Sequence, residues 1–375
     1  MEFRDLKTQY QTYKSEIDHA IQNVLTNANF IGGNEVKELE QQLSEYVGVK
    51  HCITCANGTE AMTLVLMAWG VKEGDAIFLP DFTFFSTGEV VSFNGATPIF
   101  VDVDRNTFNL DVVKLEEAVK QTIEEGKLTP KVIIPVDLFG LPANYPEIQK
   151  VADKYNLLVL EDGAQGFGGV IEGKRACSFG NASTTSFFPA KPLGCYGDGG
   201  AIFTNDDKLA ELLNSLKVHG KGNNKYDNVR IGVNSRLDTI QAAILKVKLE
   251  AFIKHEVDDV NRVARLYDEK LKGVVETPFI PEGYASSFAQ YTIKLNNNEE
   301  RNNLQAKLKE ENIPSMIYYV MPMHEQEAFS DLKSNHKNFQ ITKELSQTVL
   351  SLPMHPYLTE QEIDQVCSVI MEYFN

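Results

Sequence analysis

Apolar residues recur along this chain in two rhythms, one helical and one alternating, and each switch marks a new element. Ile17, Ile21, Val24 and Leu25 share one helical face, which predicts a helix over residues 5–28. Asn29-Phe30-Ile31-Gly32-Gly33 breaks it, and Asn34 is placed to cap a second helix carrying Val36, Leu39, Leu43 and Val47. Compact apolar runs then read as strands at 51–56, 76–79, 96–102, 131–137, 157–160, 184–188 and 201–204. Helical stretches separate most of them, so the fold class is α/β, a mostly parallel sheet covered by helices on both faces. Residues 219–225 are polar and glycine-rich and predict a mobile loop, and a long helix begins at Thr239. Beyond it come alternation in Gln290-Tyr-Thr-Ile-Lys294, a helical pattern over 299–311, and Ile313-Pro-Ser-Met-Ile-Tyr-Tyr319. Together they predict a large domain over 1–250 and a smaller α+β domain over 251–375.

The chain has 375 residues, 43% of them hydrophobic, enough for a substantial core and two domains. A formal charge of −16 argues against nucleic acid or an anionic membrane surface as a partner, while leaving room for a local basic pocket. No apolar run reaches transmembrane length, and Met1-Glu-Phe-Arg-Asp5 lacks the basic and apolar regions of a signal peptide, so a cytoplasmic protein is expected. Five scattered cysteines do not suggest a disulfide framework. Cys52-Ile-Thr-Cys55 matches a redox or zinc spacing, but alternation there suits a strand and no second pair occurs; no metal is expected.

Candidate chemistry centres on Ser186-Phe-Phe-Pro-Ala-Lys191-Pro-Leu-Gly-Cys-Tyr-Gly-Asp-Gly-Gly200. Pro189 and Pro192 flank the Ala190-Lys191 pair and keep regular structure out of it. A lone loop lysine is ordinarily solvated. One held on a stiff loop between apolar strands instead suits a buried amine whose pKa falls by desolvation, as Schiff-base chemistry requires. Upstream, Leu157-Leu-Val-Leu-Glu161-Asp162-Gly-Ala-Gln165 is an apolar strand ending in acidic and amide groups. A carboxylate there suits the ring-nitrogen partner of pyridoxal phosphate. Gly58 and Thr59 lie in the turn between the first strand and a helix predicted from about Ala61 to Trp69, where free backbone N–H groups would face an anion; a simple capped turn is the competing reading.

These runs resemble the DegT/DnrJ/EryC1/StrS family of pyridoxal-phosphate-dependent nucleotide-sugar aminotransferases, from Phe3-Arg-Asp-Leu-Lys7 to Ser351-Leu-Pro-Met-His-Pro356. The resemblance implies a fold type I transferase in which Lys191 forms the Schiff base, Asp162 pairs with the ring nitrogen and Gln165 holds the phenolic oxygen. It puts Phe84 on the ring face and adds the hydroxyl of Ser186 to the phosphate site of Gly58 and Thr59. It further implies a homodimer with shared active sites. Asn234 would touch the phosphate in the neighbouring subunit and Arg236 would read a carboxylate there; an N-cap network with Ser235 or Asp238 is the alternative. Met321-Pro-Met-His324 resembles the family's substrate loop, so His324 and Tyr319 are expected to contact substrate, with a surface histidine as the other reading. Relatives often carry histidine-tyrosine where this chain has Tyr318-Tyr319. The Ser351–Pro356 run carries no role that its residues imply. Segments 52–59, 186–205 and 233–243 look most like aminotransferases acting at C3 of a UDP-3-keto-N-acetylglucosamine or its uronic acid, with L-glutamate as donor, in surface-glycan synthesis. C4 amination of a UDP- or dTDP-4-keto-6-deoxy sugar is the near alternative. Sugar dehydratases of the family replace the lysine with histidine, and Lys191 is present.

Overall fold

A sheet of seven strands runs in the order His51–Cys55, Gly200–Thr204, Ala182–Ser186, Leu158–Asp162, Thr129–Ile133, Asp75–Pro80, Thr97–Val101. The structure is a computed structural model that describes residues 1–224, 226–332 and 339–374, so Lys225, at the end of the expected 219–225 loop, lies outside the described residues. The five strands from Ala182–Ser186 to Thr97–Val101 pair in parallel. Gly200–Thr204 is antiparallel to both of its neighbours. No helix separates it from Ala182–Ser186, and a parallel pair needs such a crossover. Both faces are covered, which is why these strands read as apolar runs: Asp75–Pro80 and Gly200–Thr204 are buried throughout. Cys52 and Cys55, three positions apart on one strand, face opposite sides and pack into two different apolar clusters.

The N-terminal helical region is two helices, Leu6–Thr12 and Lys14–Asn27, meeting at Tyr13. Asp5 caps the first by accepting from Thr8 N at 2.8 Å. Gly33, rather than Asn34, is the N-cap of Asn34–Val47. Its N–H donates to Thr239 Oγ1 at 3.2 Å, and a Cβ at Gly33 would lie 2.6 Å from Thr239 Cγ2. Close packing selects the glycine, which leaves the asparagine inside the helix. A small sheet of Tyr284–Ala285, Val170–Ile171 and Lys174–Arg175 was not predicted, its strands being only two residues each.

Helix Thr239–Ala251 passes through a π-helical turn, Phe252–Glu256, into Val257–Leu271. A two-stranded antiparallel sheet, Tyr291–Lys294 with Val349–Leu352, then packs with helices Asn298–Glu310 and Glu360–Phe374 around Val263, Tyr267, Leu304, Leu350 and Ile363. Among the described residues no helix is long and apolar enough to cross a membrane.

Candidate active site

The carboxyl ends of the parallel strands collect along one edge of the sheet, where ligands of open α/β sheets bind. There the loops enclose a cleft of about 860 Å³. Gly58 and Thr59 form the first turn of helix Gly58–Ala68 and line it. Asn57 caps that helix by accepting from Glu60 N at 2.8 Å. The amides of Gly58 and Thr59 therefore keep no intrahelical acceptor. Ser186 stands opposite, so close that a Cβ at Gly58 would lie 2.8 Å from Ser186 Cβ. Ser186 Oγ accepts from Phe188 N at 3.2 Å, leaving its own proton to donate. Two amides, a hydroxyl and a helix dipole suit a phosphate.

Asp162, buried at the end of Leu158–Asp162, accepts from Thr87 Oγ1 at 2.9 Å and from Ala164 N at 3.2 Å. Burial raises its pKa, and the Thr87 bond and the Lys191 charge oppose that rise. Gln165 is oriented by its surroundings. Its Oε1 accepts from Phe139 N at 2.7 Å, so Nε2 is the atom presented to the cleft, where it donates to Tyr319 OH at 3.2 Å. Lys191 follows a turn closed by its own N–H on Phe188 O at 2.9 Å, and its side chain lines the cleft. Burial lowers the amine below the usual lysine range, opposed by the charge of Asp162. Amine, acid, amide and phosphate cradle thus converge on one space, and that donor set fits pyridoxal phosphate.

Glu161, one residue before Asp162, points the other way. It accepts from Cys177 N at 2.5 Å and Phe179 N at 2.8 Å, and neighbours Asp137. Asp137 Oδ1 accepts from Ala143 N at 3.0 Å and Tyr145 OH at 2.8 Å, while Oδ2 has no donor unless the facing Glu161 holds a proton. Burial raises both acids, and one shared proton resolves the pair.

The rim is less uniform. Phe84 is 54% exposed at the cleft lip, its ring 6.4 Å from that of Tyr319. His324 does not line the cleft, although its neighbours Met323 and Gln326 do. Its Nδ1 lies 2.6 Å from Asp81 Oδ2, its N–H donates to Asp81 Oδ1 at 2.9 Å, and its ring stacks on Phe339. Asp81 is wholly buried, and the histidine satisfies it, which gives His324 a structural role beside the substrate contact expected of it. Asn234 and Arg236 are exposed and do not line the cleft, alternating with buried Ser235 and Leu237. No N-cap network forms: Ser235 Oγ accepts from Ala56 N at 3.1 Å, and Asp238 makes no side-chain cap bond. Sequence reasoning missed Thr87, Glu60, Gln290, Tyr318 and Gln326. The Thr83–Thr87 spacing after Asp75–Pro80 was the available signal for the first; the two hydroxyls lie 3.3 Å apart.

A mostly parallel sheet with one antiparallel strand, carrying this donor set at its carboxyl edge, defines the class: a fold type I enzyme that uses pyridoxal phosphate. The chain belongs to the DegT/DnrJ/EryC1/StrS aminotransferase family, whose pattern matches residues 11–371. It is 45% identical over 373 residues to a UDP-2-acetamido-2-deoxy-3-oxo-D-glucuronate aminotransferase of Pseudomonas aeruginosa, covering 99% of each chain. A UDP-N-acetyl-3-dehydro-alpha-D-glucosamine 3-aminotransferase of Acidithiobacillus ferrooxidans is 39% identical over 98% of this chain and 96% of its own. The crystal structure of a DegT DnrJ EryC1 StrS aminotransferase from Brucella abortus superposes with a TM-score of 0.97 at 48% identity, covering all of both chains.

Proposed function

We propose that this enzyme moves an amino group from L-glutamate to C3 of a UDP-linked 3-keto sugar, N-acetylglucosamine or its uronic acid. The observation that carries the reading is the meeting of Lys191, Asp162 and the Gly58–Thr59–Ser186 cradle in one cleft. The likeness to two enzymes named for 3-oxo UDP-sugars supports the position of the ketone. When bound, pyridoxal phosphate supplies a carbonyl that carries the amino group and a ring that draws electrons from the carbon losing its proton. The first-turn amides and Ser186 hold the phosphate. Asp162, oriented by Thr87, keeps a proton on the ring nitrogen, and Gln165 Nε2 donates to the phenolic oxygen. Phe84 covers the ring face. Lys191 anchors the cofactor, and its amine, easier to deprotonate than a solvated lysine, carries the proton lost by the donor carbon. Donor and acceptor take turns in one cleft, which gives ping-pong kinetics.

The cleft's own lining is acidic: Glu60, Asp162 and Asp198 against Lys191, the one cation among its described lining residues. Glutamate and a UDP-sugar are anions, and we assign the positive charge that would balance them to a second copy. Exposed Arg236, with Asn234 beside it, supplies that in a homodimer whose sites are shared, and Tyr319 meets the sugar from within the chain. Exposed Phe30, Ile31, Phe188 and Ile231 provide apolar surface for such a contact. The setting is cytoplasmic, in the making of a surface glycan. UDP-3-keto and UDP- or dTDP-4-keto-6-deoxy sugars, assayed side by side with glutamate, test the reading. Faster amination of a 4-keto sugar, or a dehydrated product, overturns it.

A further inference from the structure

The Lys191 loop is gripped from behind by cations that take no place in the cleft. With prolines at 189 and 192 it forms no ladder, so its carbonyls need other donors. Arg4 Nη2 donates to Lys191 O at 3.0 Å and to Pro192 O at 3.3 Å. Lys248, 1% exposed, donates to Gly194 O. Glu256, 4% exposed, is the acid whose field both cations feel; it accepts from Gln9 Nε2 at 3.1 Å and from Tyr357 OH. The Ser351–Pro356 run frames this cluster. Met354 N donates to Phe3 O at 3.2 Å and pins the segment that carries Arg4, while Tyr267 OH donates to Pro353 O at 3.1 Å. His355 is buried against Arg4, and burial, then the Arg4 charge, hold its pKa at about 4. The imidazole is neutral near pH 7 and adds no third cation beside Arg4 and Lys248.

We propose that Arg4 is a positioning residue for Lys191: its guanidinium fixes the two consecutive carbonyls of Lys191 and Pro192 and so aims the amine into the cleft, with Glu256 and residues 351–357 as its frame. The inference rests on the reading that Lys191 anchors the cofactor. Both bonds leave the single nitrogen Nη2, whose hydrogens the planar guanidinium holds in fixed directions, whereas an ammonium turns freely on a flexible stem, so arginine and lysine are not equivalent here.

The test compares Arg4→Ala and Arg4→Lys in the full-length protein loaded with pyridoxal phosphate. Two quantities are read: the pH midpoint of the cofactor's visible absorption, and the single-turnover rate with glutamate against its KM. Arg4→Ala is expected to keep the visible band but shift its midpoint by about one pH unit. Its rate should fall about 10–100-fold with KM changed less than about threefold. Arg4→Lys should lie between. A lower melting temperature or cofactor occupancy, with midpoint and rate unchanged in the loaded fraction, overturns the proposal. If Arg4→Ala does not fold, Arg4→Gln, which retains a neutral donor, is read by the same two quantities and the same criterion. Lys191→Ala run alongside separates the two ideas: a retained band there sinks the reading of the cleft, whereas unchanged Arg4 variants sink only the clamp.

Discussion

The floor of the cleft and its rim are built by different means. Floor residues sit at or just beyond strand ends and helix starts: Asp162 closes Leu158–Asp162, Ser186 closes Ala182–Ser186, and Gly58 opens its helix. Asp162 is oriented by the buried Thr87 hydroxyl and by Ala164 N, and Ser186 by Phe188 N. Rim residues ride on connections: Phe84 is half exposed, His324 is committed to Asp81, and Asn234 and Arg236 face outward. In the function proposed above, cofactor chemistry belongs to the rigid part, and the choice of substrate to the part that loops and the proposed second copy complete.

Removing a floor group should therefore cost chemistry, and removing a rim group should cost selectivity. The largest loss is expected for Lys191→Ala, at least about 1,000-fold in turnover with the cofactor's lysine-bound absorption gone; a variant that still turned over glutamate and keto sugar would break the contrast. Asp162→Ala should lower turnover by about 100-fold or more and weaken cofactor retention, read by dialysis and absorbance. Arg236→Ala should instead raise KM for glutamate or a uronic-acid sugar by about tenfold with kcat nearly kept. If neither KM moves, Arg236 is structural.

The smaller predictions concern stability. Burial lifts Asp137 and Glu161 above their unfolded values, so the native pair keeps a proton that an unfolded chain releases above about pH 4. That contribution is full below the unfolded pKa and is lost as pH rises through the raised native values. Asp137→Asn, which donates to Glu161 without titrating, should flatten the fall in melting temperature between about pH 5 and about pH 8; an unchanged slope would mean the pair shares no proton. His324→Asn should cost about 1–3 kcal/mol in denaturant unfolding, because it weakens the partner of buried Asp81, and leave sugar KM within about twofold.

This division also explains what was legible in the sequence. Strand positions were found to within a few residues, because strands buried on both faces are plain apolar runs. Lys191, Asp162, Gly58 and Thr59 were chosen from their loop and strand-end settings and Gln165 and Ser186 from the family resemblance, and all six line one cleft. Neighbouring Glu161 and Asp162 look alike in sequence, and only the pleat assigns one to the interior and the other to the cleft. The commitment of His324 to Asp81 joins residues far apart in the chain, and no local pattern encodes it. Gly33 displaced Asn34 as a cap for a similar reason, the nearness of Thr239. The antiparallel course of Gly200–Thr204 was implicit in the short helix-free connection before it, but a run of apolar residues carries no direction.

That reversed strand has a consequence for the chain as it leaves the ribosome. Among the described residues His51–Cys55 pairs with Gly200–Thr204 alone, so an early hydrophobic segment stays without its ladder until the partner emerges, on the order of ten seconds later at ordinary synthesis rates. Through that interval its backbone N–H and C=O groups lack their native ladder partners.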